Sequence, residues 1–223
     1  MMKLKKIFQQ CFKKSFQFLF KLFYGNIKLA YNLENIKSLE RKKIINIKSD
    51  IKDAKDYFTY KIKNGRVYTD YVENVSVISE KNLIGEVSYQ QISGELKDPS
   101  DNIVLKKGTP AIKKRFKGRV LTILQGASGN NYGHWLLEML PKIKMCSEHY
   151  PLKDIDYLYT PNLSDFQKET LSVLNINENM IINSEKYRHI QADELLAVVH
   201  PSYHKGYVLE QFKYQPTWII EWL

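Results

Sequence analysis

The stretch that decides the fold is "VLTILQGASGNNYGHWLLEMLPKI", residues 120–143. It opens with a short apolar run typical of a buried parallel strand, and a Gly-rich turn then leads into residues with helical apolar spacing. The same alternation continues downstream, with strand patterns at 155–160, 179–183 and 194–200 and a helix pattern at 164–174. This alternation predicts a twisted, mainly parallel α/β sheet.

The residues before this region follow other patterns. "GRVYTDYVENVSVISEKNLIGEVSYQQI", residues 65–92, alternates apolar and polar residues and breaks at Asn and Gly, which predicts strands joined by hairpins. Residues 30–60 have weak periodicity, and we interpret them as a connector with a short helix or strand. The sequence therefore predicts three parts: an N-terminal helix (1–29), a β-rich segment (30–112) and the α/β region (113–223).

The first 24 residues, "MMKLKKIFQQCFKKSFQFLFKLFY", place apolar residues at steps of three and four, with lysines on the other side. This spacing predicts an amphipathic helix, and Gly25 is its expected end. Lysines interrupt every apolar run, so the segment is too polar to span a bilayer, which takes roughly 20 mostly apolar residues. Two interpretations stay open: the helix lies on an anionic membrane surface, or it buries its Phe stripe on the protein itself.

The net charge of +10 is concentrated at the N-terminus. Seven lysines and no acidic residue precede Glu34, so the remaining residues carry only 10 − 7 = +3. A nucleic-acid-binding domain carries its positive charge on the folded surface, and this distribution argues against that class. The two cysteines, Cys11 and Cys146, do not form a disulfide framework pattern, so we expect a cytoplasmic protein, peripheral on the inner face of the membrane.

Three polar residues, Asn131, His134 and Glu138, lie at helical spacing among apolar neighbours. They follow a turn after a predicted strand, where open α/β sheets bind ligands. Each residue also has a structural interpretation. Asn131 is a good helix N-cap, His134 is explained by a hydrogen bond to a backbone carbonyl, and Glu138 is explained by an ion pair with Lys142. Trp135 is expected in the core.

These residues carry a resemblance to a known family. The stretch "NNYGHWLLEMLPKI" resembles the signature of the family 61 glycosyltransferases, which include bacterial capsular polysaccharide biosynthesis proteins. That signature is an Asn, two residues, a His, often a Trp, an acidic residue four after the His, and a Leu-Pro pair. The signature positions are Asn131, His134, Trp135, Glu138, Leu140 and Pro141. The flanking "GTPAIKKRFKGRVLTILQGAS" and "FQKETLSVLNI" also resemble the bacterial branch, and the similarity runs from about residue 64 to the C-terminus.

The resemblance implies a GT-B-like architecture of two Rossmann-like halves, of which this chain supplies the acceptor-side half. It implies an inverting enzyme with a nucleotide-sugar donor, a glycan or lipid-linked acceptor and no obligatory metal. His134 is then the first candidate for the catalytic base, and Glu138 is either the second candidate or the group that orients His134. Asn131 and its neighbours Asn130 and Tyr132 are the expected substrate-binding residues.

Two other clusters of functional residue types have simpler explanations. His200 and His204 have the spacing of metal ligands, but they fall in a predicted loop with no Cys or acidic residue close by, which argues against a metal site. "KKRFKGR", residues 113–119, has five cations that could bind a diphosphate or a lipid phosphate. A solvated turn before a strand is the commoner explanation of such a run.

The C-terminal residues "QPTWIIEWL" predict a helix that begins near Pro216 and places Trp218, Ile219 and Trp222 on one side. The pattern stops without a polar or glycine stop signal, so we expect the polypeptide to be truncated. A truncated polypeptide leaves an alternative to the glycosyltransferase: a catalytically inactive, membrane-associated protein that binds carbohydrate or acts as a scaffold.

Overall fold

The structure is a computed structural model of the chain. It describes residues 2–70, 74–125, 131–202, 206–207 and 214–223, and for residues 2–8, 10, 11, 206 and 207 it describes the backbone alone. The helices are α1 (Met2–Tyr24), α2 (Ile103–Lys107), α3 (Tyr132–His134), α4 (Pro141–Ser147), α5 (Asp165–Val173) and α6 (Thr217–Trp222). A π-helical turn, Trp135–Met139, lies between α3 and α4.

Thirteen strands in the described part of the chain form one hydrogen-bonded network. They are β1 (Lys28–Leu29), β2 (Leu39–Lys43), β3 (Phe58–Lys63), β4 (Arg66–Thr69), β5 (Asn74–Ser79), β6 (Asn82–Leu83), β7 (Tyr89–Ile92), β8 (Glu95–Leu96), β9 (Lys113–Thr122), β10 (Tyr157–Thr160), β11 (Ile181–Asn183), β12 (His189–Val198) and β13 (Gly206–Tyr207). The predicted α/β class is therefore confirmed, and the sheet is mixed.

Four of the five described strands of the C-terminal region are parallel to one another and lie in the order β11-β10-β9-β12. The chain moves outward from β9 through β10 to β11 and then returns to the opposite side of β9 as β12. α3, the π-helical turn and α4 connect β9 to β10, and α5 connects β10 to β11. The direction of strand addition therefore reverses between β9 and β12.

The β-rich segment joins this sheet through β12. The edge of β12 that does not face β9 pairs antiparallel with two earlier strands. β4 pairs with His189–Gln191 and β3 pairs with Glu194–Val198. β5, β6, β7 and β8 then extend the sheet from β4 through antiparallel pairs. The hairpins predicted for residues 65–92 are confirmed, while the division of the chain at residue 112 stays a prediction.

The basic run at residues 113–119 is not a turn, and that prediction is wrong. It forms the first part of β9, because Lys113–Phe116 pair in register with His189–Ala192 of β12. Two of its five cations are paired across the sheet, Arg115 with Asp193 at 2.8 Å and Arg119 with Glu194 at 2.6 Å. Cross-strand partners therefore explain a charge pattern that looks like a loop in the sequence.

β9 and β12 both deviate from regular geometry near Gly118. Gly118 has φ +91°, its N–H donates to Asp193 at 3.1 Å, and the register of β12 shifts between Ala192 and Glu194. A bulge of this kind bends a strand pair and increases its twist. Because of it, β12 pairs with β4 before the shift and with β3 after it.

Several local predictions are confirmed. α1 ends at Tyr24, directly before Gly25. Gly25 has a φ of +78°, and its N–H donates to Lys21 O at 2.9 Å. α5 begins after Ser164. The Ser164 backbone N–H donates to Gln167 Oε1, as in a capping box. α6 buries Ile219 and packs Trp218 against Tyr57, which gives this helix a partner surface within the protein.

We predict that Gly118→Ala destabilises the protein. A Cβ at this position would lie 2.3 Å from Asp156 Oδ2, a carboxylate already held by the Arg119 backbone N–H, and the positive φ adds strain. Gly94→Ala is the matched control, because Gly94 also has φ +78° but its added Cβ meets nothing within 4 Å. Urea unfolding should show a loss of about 1 kcal/mol for the control and at least about 2 kcal/mol for Gly118→Ala. Equal losses would contradict the importance of the Asp156 contact.

Candidate functional site

The carboxyl ends of β9 and β12 bring two polar side chains together. Leu121 lies beside Leu196 in the parallel pair, and continuing that register by four residues places Gln125 level with His200. Both side chains are buried. This is the point where strand order reverses, and connections that leave in opposite directions open a crevice at such strand ends.

A π-helical turn supplies the next two side chains. Asn131 caps α3 by accepting the His134 backbone N–H at 3.1 Å, and Leu140 N–H donates to Trp135 O, five residues earlier, at 2.9 Å. The wider turn lies directly before Pro141, which has no N–H and would collide with the preceding carbonyls of a regular helix. The turn directs His134 and Glu138 toward the strand ends.

Glu138 is the centre of the cluster. Its Oε2 lies 2.6 Å from His134 Nδ1, accepts a hydrogen bond from Gln125 Nε2, and lies 3.6 Å from His200 Nε2. Its Oε1 has no hydrogen-bond partner in the described part of the chain. Since the side chain is 1% exposed, these polar contacts take the place of water.

The hydrogen bonds of His200 fix its tautomer. Its Nδ1 accepts the Ser202 backbone N–H at 3.2 Å, so the proton is on Nε2, which faces Glu138. Its backbone N–H donates to the Tyr89 hydroxyl at 2.6 Å, and the two rings pack edge to face. Tyr89 of β7, in the β-rich segment, thus contacts His200, which follows β12, through both its hydroxyl and its ring.

Lys142 is a fully buried lysine next to this cluster. Its Nζ donates to Leu124 O at 3.0 Å and lies 5.1 Å from the centre of the Tyr89 ring. The sequence offered Lys142 as an ion-pair partner of Glu138, but the Glu138 contacts within hydrogen-bond distance are those of His134 and Gln125. Glu138 acts on Lys142 as a nearby charge and not as a direct contact.

Burial and charge shift the pKa values of this cluster in different directions. For Glu138, burial acts to raise the pKa, but the contacts with His134 and His200 outweigh it and lower the pKa to about 2. Burial lowers the pKa of His200 despite its contact with Glu138. Burial also lowers the pKa of Lys142 to about 7. At neutral pH the cluster therefore combines an ionised Glu138 with a neutral His200.

The pair of His134 and Glu138 has the geometry of a base and the group that orients it. When the His134 Nδ1–H donates a hydrogen bond to the Glu138 carboxylate, Nε2 is the basic nitrogen of the imidazole. The carboxylate also stabilises the imidazolium formed when Nε2 accepts a proton. The arrangement can therefore act as a general base toward a hydroxyl group.

The structure places the other predicted residues as follows. The capping role of Asn131 and the core position of Trp135 are confirmed, and Trp135 Nε1 donates to Thr170 Oγ1 at 2.8 Å. Tyr132 is exposed, with its ring 5.2 Å from that of Phe166. Asn130 and His204 lie outside the described residues. Substrate binding by Asn131, Tyr132 and Asn130 stays a prediction.

Sequence reasoning missed Gln125, His200 and Lys142 as members of the cluster. His200 directly follows the apolar run "ELLAVV" and Gln125 directly follows "VLTIL", so both come at strand ends. That position is a usable signal in a parallel sheet. Lys142 gave no such signal, because a lysine one turn after a glutamate is normally an exposed ion-pair partner.

No group of three His, Cys, Asp or Glu side chains that could hold a metal ion occurs within the described ranges. No protein-family model, curated protein or solved structure matches the chain. The interpretation of the cluster therefore depends on its own geometry.

We predict that Lys142 makes stability depend on pH. Its pKa is about 7 in the folded protein and about 10.4 when unfolded, so between these values the unfolded chain binds a proton that the folded chain lacks. Stability should therefore rise as the pH increases from 7 to 9.5, by an amount of the order of 2 kcal/mol. Denaturant unfolding of Lys142→Met should lack this rise. Lys144→Met, a change at a partly exposed lysine paired with Glu148, should keep it. Identical pH profiles for wild type and Lys142→Met would contradict the assignment.

Proposed function

We propose that the chain is the acceptor-side half of an inverting glycosyltransferase that acts in the synthesis of a surface or capsular glycan. The pair of His134 and Glu138, joined at 2.6 Å at the carboxyl ends of β9 and β12, is the observation that carries this function. The donor is a nucleotide sugar, and the acceptor is a glycan or a lipid-linked sugar. The reaction requires no metal.

His134 is the general base of this reaction. Its Nε2 takes the proton of the acceptor hydroxyl as the acceptor oxygen forms a bond to the anomeric carbon of the donor. The bond from that carbon to the nucleotide diphosphate breaks on the opposite face, and its electron pair leaves with the diphosphate. Glu138 orients the imidazole and stabilises the imidazolium, while His200 and Gln125 hold Glu138 in place.

The strand order supports a Rossmann-like half of a GT-B-like fold. The parallel strands β11-β10-β9, with helices in both connections, have the order of one nucleotide-binding half, and β12 lies where the next strand of a doubly wound sheet begins. The short connection between β11 and β12, residues 184–188, differs from that pattern because it contains no helix. The signature residues Asn131, His134, Glu138, Leu140 and Pro141 all lie in the segment that forms the site.

The burial of the cluster favours a second candidate function. His134 is 4% exposed and Glu138 1% exposed, which is typical of a polar network that specifies a core. The second candidate is a non-catalytic, membrane-associated protein that binds carbohydrate or acts as a scaffold. In that protein the cluster would only stabilise the fold.

We predict that His134→Ala lowers sugar transfer by about 10²-fold or more in the chain completed by a donor-side half. Glu138→Gln should cause a smaller loss, because it disturbs the orientation of the base without removing it. His149→Ala is the matched control, since His149 hydrogen-bonds Thr59 outside the cluster and should leave transfer unchanged within about twofold. Transfer is measured as nucleotide release from a panel of nucleotide sugars in the presence of a membrane glycan extract.

Unfolding measurements separate the two candidates. His134→Ala should cost about 1–3 kcal/mol, the usual cost of removing one partner of a buried hydrogen bond. Trp135→Ala should cost about 3–5 kcal/mol as a large core truncation. If the His134 change unfolds the protein as severely as the Trp135 change, the histidine is structural. If it leaves transfer unchanged, the base is another residue.

A further inference from the structure

Much of the apolar face of α1 is exposed. Six large apolar side chains of its described part are between 44% and 73% exposed: Phe12, Phe16, Phe18, Leu19, Leu22 and Phe23. Phe12, Phe16, Leu19 and Phe23 follow steps of four, three and four, so they share one face. The helix therefore buries Phe20 on the protein but leaves most of the described part of its apolar stripe exposed. An exposed apolar face of this size marks a binding surface.

The adjoining edge of the same apolar stripe attaches α1 to the sheet, since the rings of Phe16, Phe20 and Tyr24 follow one another at steps of four and are in contact. Phe20 is buried, and the Tyr24 hydroxyl accepts the backbone N–H of Lys113 at 3.0 Å. The Tyr24 ring packs edge-on against buried His189, with the ring centres 4.8 Å apart. Lys21 Nζ donates to Lys106 O at 2.6 Å. These contacts fix which face of the helix is turned outward.

Cations flank the outward face. A cleft of about 310 Å³ lies between α1 and the body, and its lining includes Lys13, Lys107 and Arg188 against one carboxylate, Asp70. Phe12 and Phe16 line the same cleft, so it joins cationic and apolar surface. This combination matches the interfacial zone of an anionic bilayer, where phosphates lie directly above acyl chains.

We propose that α1 docks on an anionic lipid bilayer through its outward face, with lipid phosphates bound by Lys13, Lys107 and Arg188 in the cleft. Phe16, Leu19 and Phe23 enter the boundary between headgroups and acyl chains, and the body lies on the water side. Among the described residues, no helix has the length and apolar content needed to cross a membrane, so contact through α1 is along the surface.

Charge favours a bilayer over a second copy of the chain as the occupant. Seven lysines and no acidic residue precede Glu34, so two such helices brought together would repel each other. An anionic surface instead attracts each lysine with a free energy of about 1 kcal/mol. The same positive charge that opposes self-association strengthens binding to lipid.

The test is co-sedimentation of the full chain with phosphatidylcholine vesicles that contain or lack about one third phosphatidylglycerol. The wild type should bind the anionic vesicles at least about tenfold more tightly than the neutral ones. The double change Leu19→Glu with Phe23→Glu should weaken anionic binding by about 10²-fold, because it removes two inserted side chains and adds two negative charges. Lys13→Gln with Lys107→Gln should weaken anionic binding by about tenfold and leave neutral binding unchanged.

Ile45→Glu with Val173→Glu is the matched control. Both residues are exposed apolar side chains outside α1, and the change in net charge is the same. The control should bind within about threefold of the wild type, since neither residue is on α1 or lines the cleft. All four substituted positions of the two glutamate variants are exposed, so the unfolding midpoints of both variants should stay near that of the wild type. This measurement shows that both variants are folded.

Three results would overturn the assignment. The first is equal anionic binding by the α1 variant and the control. The second is a dimer in the absence of vesicles that the α1 variant alone dissociates, which would assign the face to a second copy. The third is release from the vesicles by about 10 mM inorganic phosphate at constant ionic strength, which would assign the cleft to a free phosphate.

Discussion

The parallel pairing of β9 with β12 is the constraint on which the other features depend. Each strand has ten residues, and together they connect the β10–β11 edge to the strands of the β-rich segment. β3 and β4 hydrogen-bond to β12, and the Tyr24 hydroxyl of α1 hydrogen-bonds to the first residue of β9. The carboxyl ends of the pair carry Gln125 and His200. Loss of this pairing would separate the β-rich segment, the anchored end of α1 and the polar cluster.

The polar cluster depends on charge compensation in a buried place. An ionised carboxylate without partners would cost several kcal/mol in the interior. Glu138 has hydrogen bonds from His134 and Gln125 and a further contact with His200, and these partners come from three separate parts of the chain. The lowered pKa values of Lys142 and His200 are consequences of the same burial. The cluster keeps one negative charge next to an imidazole, which is the requirement for a base that works at neutral pH.

The two faces of α1 meet different surroundings. Phe20 and Tyr24 pack on the protein, whereas Phe12, Leu19 and Phe23 are exposed. A helix that were only structural would turn its apolar stripe inward, since burial of apolar surface is the main driving force of folding. We propose that the exposed part of the stripe binds a partner outside the fold. In the proposed enzyme, that partner is the membrane that also carries a lipid-linked acceptor.

The sequence alone determined the local features: the strand and helix types of the described residues from 120 to 198, the end of α1 before Gly25, the capping box of α5, the Asn131 cap and the core position of Trp135. Each depends on residues within about one helical turn, where spacing and capping chemistry decide the outcome. Tertiary structure decided the features that need a distant partner. Residues 113–119 form a strand because β12 pairs with them, and His200 meets Glu138 because β9 and β12 lie side by side. The sequence predicted the amphipathic α1, but the contacts of Phe20 and Tyr24 decided which face points outward. A pattern in the sequence specifies which residues share a face, and only the packed protein specifies what that face contacts.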